Sequence, residues 1–332
     1  MITFVTTKKT SEYSHTSITY YPKDMTLQQL EYIVAVYQTR HFAKAASNCG
    51  VTQPTLSMMI QKLEQELDVK LFERNSQQVL PTPIGKKVVE QAWKVLTRAK
   101  RIKEIINEER QSIEGSFRIG ILPTIAPYLL PRFFPKMVNE HPHLQLHITE
   151  MKTTEIKRAL AHDLIDAAVV VRIEDLEQYA TLPLFFEQFM AYVSPESSLF
   201  SNMNIKTSDL TTQLLWLLEE GHCFRDQLVK FCNIKTATDS QSTYHLGSIE
   251  TFMRMVESGQ GITFIPELAV EQLTEKQRLL VRPFALPIPT REVVLISNKS
   301  FIRTHLLNYL ADTIRTSVPP RMLSFNNTEQ RV

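Results

Sequence analysis

The feature that most limits what this chain can become is a change of hydrophobic period near Gly115. Up to about residue 113, apolar residues recur every three to four positions, the spacing of helices buried along one face. Beyond Gly115, short apolar runs alternate with helical stretches, the pattern of strands and helices stacked in layers. One chain therefore carries two kinds of architecture. Its 332 residues suffice for two or three domains of about 100–150 residues each.

In the helical part, Leu27, Leu30, Ile33, Val34 and Val36 predict an amphipathic helix over 26–40, and a short helix follows over 42–48. Cys49-Gly50-Val51 reads as a tight turn whose glycine is free to take a positive φ. A third helix starts at about Thr52, its N-cap, with Pro54 in the first turn, and runs through Leu56, Ile60, Leu63 and Leu67. Two helices joined by so short a turn, with Ala45 and Ala46 at the contact, form a helix-turn-helix. Residues 71–82 read as a β-hairpin carrying Arg74, a wing placed to meet phosphates. Pro83 then opens a helix to about Ile113, with Val88, Val89, Ala92, Val95, Leu96, Ala99, Ile102, Ile105 and Ile106 on its apolar side. That seam is too long to bury against a small domain, so a dimerising coiled coil is expected, presenting two recognition helices to a pseudo-palindromic DNA site.

After Gly115 the expected order is strand 117–121, helix 128–139, strand 144–149, helix 153–162 and strand 167–171, a parallel sheet with helices on both faces. A similar succession recurs over 189–266, followed by a strand at 293–296 and a helix at 301–315. No glycine-rich loop follows these strands, so no nucleotide cofactor is expected. Three cysteines are too few and too odd in number for a disulfide scaffold, which places the chain in a reducing cytoplasm. The longest purely apolar run, 32–37, is far short of a spanning helix, and no membrane is expected. Residues 1–24 are polar and read as a disordered extension ahead of Met25, the expected functional start. Net charge is +4 over 25–112 and −3 over 113–332, so the basic surplus lies with the helix-turn-helix.

Leu27-Gln-Gln-Leu-Glu-Tyr, Phe42-Ala-Lys-Ala-Ala-Ser, Val51-Thr-Gln-Pro-Thr-Leu-Ser57, Lys62-Leu-Glu-Gln-Glu-Leu67, Leu71-Phe-Glu-Arg74 and Thr82-Pro-Ile-Gly85 together resemble the DNA-binding domain of LysR-type transcriptional regulators. The resemblance extends from about Met25 to about Arg315. It implies an α/β protein with a winged helix-turn-helix over 25–82, a linker helix over 83–113 and a regulatory domain over 114–318 shaped like a periplasmic binding protein. Lobe I would comprise 114–187 and 291–318, lobe II 188–290, with a tail over 319–332. It also implies a dimer assembling to a tetramer, promoter DNA as ligand and RNA polymerase as partner. Ile119-Gly-Ile-Leu-Pro-Thr-Ile-Ala-Pro-Tyr-Leu-Leu-Pro131 and Glu219-Glu-Gly-His-Cys-Phe-Arg-Asp-Gln-Leu-Val-Lys-Phe-Cys232 resemble the peroxide-sensing members of that family. Most members lack this cysteine pair. By that resemblance, Cys223 and Cys232 are redox-active, and Thr124, Thr153, His222, Arg225 and Asp226 hold or activate hydrogen peroxide, with Thr154 an alternative to Thr153. Glutaredoxin or thioredoxin would be the reductant.

Physical reasoning adds a constraint. If 223–232 is helical, nine steps put the two sulfurs on opposite faces and about 13 Å apart along the axis. A disulfide needs Cα atoms within about 7 Å. Oxidation must therefore unwind the segment. His222, Arg225 and a helix start after Gly221 would stabilise negative charge on Cys223, making it the peroxidatic residue and Cys232 the resolving one. Cys49 reads as an inert packing residue, Met253 and Met255 as core, and His141, His143, His245 and His305 lack partners at metal-ligand spacing. In the recognition helix, Thr52, Gln53, Thr55 and Ser57, in the turn that also carries Pro54, would reach the major groove. Gln53 suits a bidentate contact to adenine, while Lys62 and Arg74 suit phosphates. Two other functions remain open at this point. One is a regulator gated by a small metabolite between the lobes; the other is a thiol enzyme, which leaves the DNA-binding third unexplained.

Overall fold

The structure, a computed structural model, describes residues 25–74, 79–173, 175–218, 223–232 and 248–332. The chain divides into two compact units, Met1–Leu96 and Thr97–Val332.

The first unit is built on α1 (Leu27–Thr39), α2 (Phe42–Asn48) and α3 (Gln53–Glu66). Thr26 and Gln29 form a reciprocal capping box that starts α1, and Thr52 caps α3. Gly50 takes φ 66° in the turn, as a sharp reversal requires. Ile33, Val36, Ala45, Leu56, Ile60 and Leu63 are fully buried between the three helices. The wing pairs β1 (Phe72–Arg74) with β2 (Val79–Pro81) in antiparallel register; the tip of the hairpin lies outside the described residues. Two polar anchors fix the wing. Buried Glu64 on α3 accepts hydrogen bonds from the backbone N–H groups of Leu71 and Phe72 at 2.7 and 3.2 Å. Thr82 donates its hydroxyl to the Lys70 carbonyl at 2.7 Å and accepts from the Gly85 N–H at 2.9 Å. A Cβ on Gly85 would lie 2.0 Å from the Leu71 carbonyl oxygen, so the helix can start here only with glycine. That close approach is the physical content of the Thr82-Pro-Ile-Gly85 motif.

The long helix α4 (Pro83–Glu109) stops short of the expected end near 113, because Gln111 turns the chain with φ 50°. Val89 and Ala92 on it are buried, while Val95, Ile102, Ile105 and Ile106 are exposed.

The second unit is an eight-stranded sheet in the order β4-β3-β5-β9-β6-β7, with β8 added to β6 and β10 to β9. Its strands are β3 (Gly115–Ile121), β4 (Leu144–Glu150), β5 (Ala167–Val171), β6 (Tyr179–Val193), β7 (Ile262–Pro266), β8 (Val281–Pro283), β9 (Ile288–Asn298) and β10 (Glu329–Arg331). β3 pairs in parallel with β4 and β5, as the alternating pattern predicts. The wholly parallel sheet does not hold beyond them: β9 runs antiparallel to both β5 and β6, and β6 antiparallel to β7 and β8. The reason is length. β6 and β9, of 15 and 11 residues, are long enough to run through both halves of the unit. β6 pairs with β9 over 179–188 and with β7 over 189–193.

Around the sheet lie α5 (Ala126–Glu140), α6 (Thr153–Ala161), α7 (Cys223–Cys232), α8 (Ile249–Glu257), the single turns α9 (Glu267–Val270) and α10 (Glu275–Arg278), and α11 (Thr304–Ser317). Residues after Val318 form a 3-10 turn, Pro320–Leu323, and then β10. Among the described residues no helix is long and apolar enough to cross a membrane.

Candidate functional site

Helix α7 begins at Cys223 and ends at Cys232. Phe224 and Leu228, four apart, are buried and give it an inner face, beside a small cavity that Trp216, Leu218, Phe252 and Phe264 also line. All three cysteines of the chain are free thiols. Over a regular ten-residue helix the two ends are about 13 Å apart, twice the span a disulfide tolerates.

The two sulfurs meet different surroundings. Cys223 is half-buried, and its Sγ lies 2.8 Å from the Thr153 hydroxyl. Thr153 is the first residue of α6, on the other half of the unit, so this contact crosses between the halves. It is buried, whereas neighbouring Thr154 is exposed. Cys232 is buried, and loss of solvent pushes its thiol up to about 12.

The hydroxyl of Thr124 is taken up by an arginine. Arg291 donates to the Thr124 hydroxyl at 3.2 Å and to its carbonyl at 3.1 Å, and forms a fork with Glu187 at 2.8 and 2.6 Å. Both charged side chains are fully buried, and Glu187 also accepts from the Leu268 N–H at 3.1 Å. The guanidinium carbon of Arg291 lies 5.0 Å from the centre of the Phe224 ring, so Thr124 is linked to α7 through this cation. Arg225 is largely buried, 3.9 Å from Asp226, whose side chain is 57% exposed. His222 lies outside the described residues. A second bridge between the halves joins the Tyr128 hydroxyl, on α5, to the Glu250 carboxylate at the start of α8, at 2.9 Å. Burial and that carboxylate raise the Tyr128 phenol far above its usual range.

Sequence reasoning missed Arg291 and Glu187. A signal existed for Glu187, the single charge in the mostly apolar run 179–193, whereas Arg291 is masked by its polar neighbours Thr290 and Glu292.

In the first unit, Gln53, Pro54 and Thr55 are exposed at the start of α3, Ser57 is half-buried and Lys62 is exposed. Thr52 is committed to capping: it accepts from the Thr55 N–H at 3.4 Å, and the two hydroxyls are 2.9 Å apart. Arg74 stands opposite Val79 in the wing. Cys49 caps the end of α2; burial, with Glu31 nearby, raises its thiol above the ordinary value, which suits a packing residue.

Comparison with known proteins places these features in context. Residues 27–86 match the model of the bacterial regulatory helix-turn-helix protein, lysR family, and residues 110–319 match the LysR substrate binding domain. A hydrogen peroxide-inducible genes activator of Pectobacterium carotovorum subsp. carotovorum is 36% identical over 291 residues, 88% of this chain and 96% of that protein. The DNA-binding transcriptional dual regulator OxyR of Escherichia coli (strain K12) is 34% identical over 88% of this chain and 95% of its own length. Among solved structures, a full-length OxyR variant from Pseudomonas aeruginosa is 35% identical with a TM-score of 0.72, covering 89% of this chain and 99% of that one. OxyR from Porphyromonas gingivalis is 44% identical with a TM-score of 0.62, covering 65% and 99%.

Proposed function

The chain belongs to the LysR family of transcriptional regulators, and on that premise we propose that it senses hydrogen peroxide through Cys223 and Cys232 and responds by changing its grip on promoter DNA of antioxidant genes. The observation that carries the reading is the placement of the two thiols: both lie on one helix, nine residues apart, and the first stands against Thr153 on the opposite half of the unit.

The chemistry balances with peroxide as the only oxidant. The Cys223 thiolate attacks one peroxide oxygen, the O–O bond breaks, and the departing hydroxide takes a proton from solvent and leaves as water. Thr153, at hydrogen-bond distance from the sulfur, would hold the incoming peroxide, and Arg225, two residues along the same helix, would add positive charge to the neighbourhood. Thr124 acts at one remove, held by Arg291 against Phe224. Asp226, exposed to solvent, would serve through its pairing with Arg225. The sulfenic acid on Cys223 then condenses with the Cys232 thiol, an S–S bond forms and water leaves. Since Cys232 is buried and held protonated at the far end of α7, this second step requires the helix to open. Thiol exchange with glutaredoxin or thioredoxin would restore the thiols.

The DNA side follows from α3. Gln53 and Thr55 are exposed at its N-terminal turn for base contact, Lys62 and Arg74 fall to phosphates, and the exposed Ile102, Ile105 and Ile106 of α4 offer a face for a second copy. Mass spectrometry of peroxide-treated protein, run beside an operator footprint, tests the reading. A Cys223–Cys232 crosslink with a shifted footprint is expected, and Cys223→Ser should bind DNA yet ignore peroxide. An unchanged footprint after peroxide, with a metabolite shifting it instead, would replace this reading with an effector-gated regulator.

A further inference from the structure

The residues after α11 have no part in the function proposed above, yet they are folded against the strands that run through both halves of the unit. β10 joins β9 in parallel register, Glu329 opposite Ile288 and Arg331 opposite Thr290, and the Val332 N–H donates to the Thr290 carbonyl at 3.2 Å. Side chains fasten this strap. Gln188 donates to the Glu329 carboxylate at 2.7 Å, and Arg331 pairs with Glu292 at 3.1 Å while lying 5.2 Å from the centre of the Phe186 ring. The strap ends against α7: the Gln227 side-chain amide donates to the Val332 carbonyl oxygen at 2.7 Å. Gln227 is buried and stands four residues after Cys223 and five before Cys232.

We propose that β10 is a brace for α7, with Gln227 the positioning residue that holds the helix wound and the two cysteines apart until a disulfide pulls it open and frees the strap. The inference rests on the redox reading above. Its logic is geometric. Residues 224–231 cannot leave the helix to bring the sulfurs within bonding distance and also keep the Gln227 amide on Val332. A strap of three paired residues, once it loses that end, is held by an edge ladder, the Gln188–Glu329 hydrogen bond and the half-exposed Arg331 on Glu292 and Phe186, which is weak retention. Conversely, a helix that loses its brace opens more easily. The Gln227 side chain bonds Val332 while the Cys223 sulfur meets Thr153, so the first oxidation of Cys223 is untouched by loss of that side chain and only the condensation step gains.

The experiment uses the full-length protein: wild type, Gln227→Glu, which keeps the shape and loses the donor, and Arg331→Ala, which loosens the strap without touching α7. After a hydrogen peroxide pulse, sulfenic acid on Cys223 is trapped and the crosslink is counted by mass spectrometry at successive times. Amide exchange of 324–332 is followed in thiol and crosslinked wild type. Both variants should form the crosslink roughly fivefold faster, the equivalent of one ordinary hydrogen bond, with unchanged sulfenic acid formation. Crosslinked wild type should lose protection across 329–332. Wild-type crosslinking rates in both variants, or full protection of 329–332 in the crosslinked protein, overturn the brace and leave the redox reading intact. Absence of any crosslink in wild type sinks the redox reading, and the brace falls with it. Should Gln227→Glu not fold, Arg331→Ala and the exchange measurement carry the test.

Discussion

Helices α3 and α7 are both amphipathic, both pack one face on a core and both carry the chemistry of their unit, but they are held in opposite ways. Around α3 the anchors come from its own small unit: Thr52 caps it, Leu56, Ile60 and Leu63 are fully buried, Glu64 ties the wing to it, and Gln29 on α1 donates to the Met59 carbonyl. Around α7 the anchors reach it from distant parts of the chain: Thr153 from α6, Arg291 from β9 and Val332 from the strap. Its inner face borders a cavity. A reading helix must keep its shape while it searches DNA; a sensing helix must be able to lose it. On the proposed function, the capacity to switch would rest on contacts that are few, long-range and individually modest.

The contrast breaks first at Gly85. Gly85→Ala pushes a Cβ into the Leu71 carbonyl and should cost more than about 4 kcal/mol, since a backbone atom cannot yield. DNA binding should be lost while peroxide crosslinking of Cys223 and Cys232 proceeds at the normal rate; retained DNA binding would mean the wing joint is softer than α3 requires. Next in size is Arg291→Met, which strands buried Glu187 and should destabilise the second unit by about 3 kcal/mol, read from chemical denaturation. Operator affinity of the thiol form should fall far less. A loss under about 1 kcal/mol would show that the pair is not the clasp of the two halves. Glu64→Gln weakens two hydrogen bonds to backbone N–H groups and should cost about 1–2 kcal/mol in the first unit, visible as faster exchange at Leu71 and Phe72.

The smallest effect concerns pH. Burial keeps the Cys232 thiol protonated up to about 12 in the folded chain, against 9.0 when exposed. The unfolded chain sheds this proton first as pH rises, so the stability linked to it is complete below pH 9 and is lost as pH climbs toward 12. Comparing wild type with Cys232→Ala by urea denaturation at about pH 8 and about pH 10 should reveal an extra alkaline loss of about 1 kcal/mol in wild type. Equal losses would mean that Cys232 meets solvent in the thiol form and that α7 is already open.

Much of the first unit was legible because its determinants are short-range. Thr52 with Pro54, and Gly50 in the turn, each sit within a few residues of what they control. The cysteine spacing likewise fixed the separation on a helix before any fold was in view. The crossing strands were not legible in full: Val293 to Ile296 announced β9, but the polar Thr290, Arg291 and Glu292 concealed its first half, which is polar because it carries the clasp. The strap gave no signal, since Gln227 and Val332 are 105 residues apart and neither is unusual in its local context. Thr153 could be separated from Thr154 only by burial and a distance, which depend on how α6 lies against α7.

The central claim is that the two sulfurs cannot join while α7 remains a helix. Amide exchange of residues 223–232, measured in full-length protein as the thiol and again after the Cys223–Cys232 crosslink has been verified by mass, tests it most directly. Slow, helix-like exchange in the thiol form and near-complete loss of protection across 224–231 in the crosslinked form are the expected results. A crosslinked protein in which that segment stays protected would contradict the account.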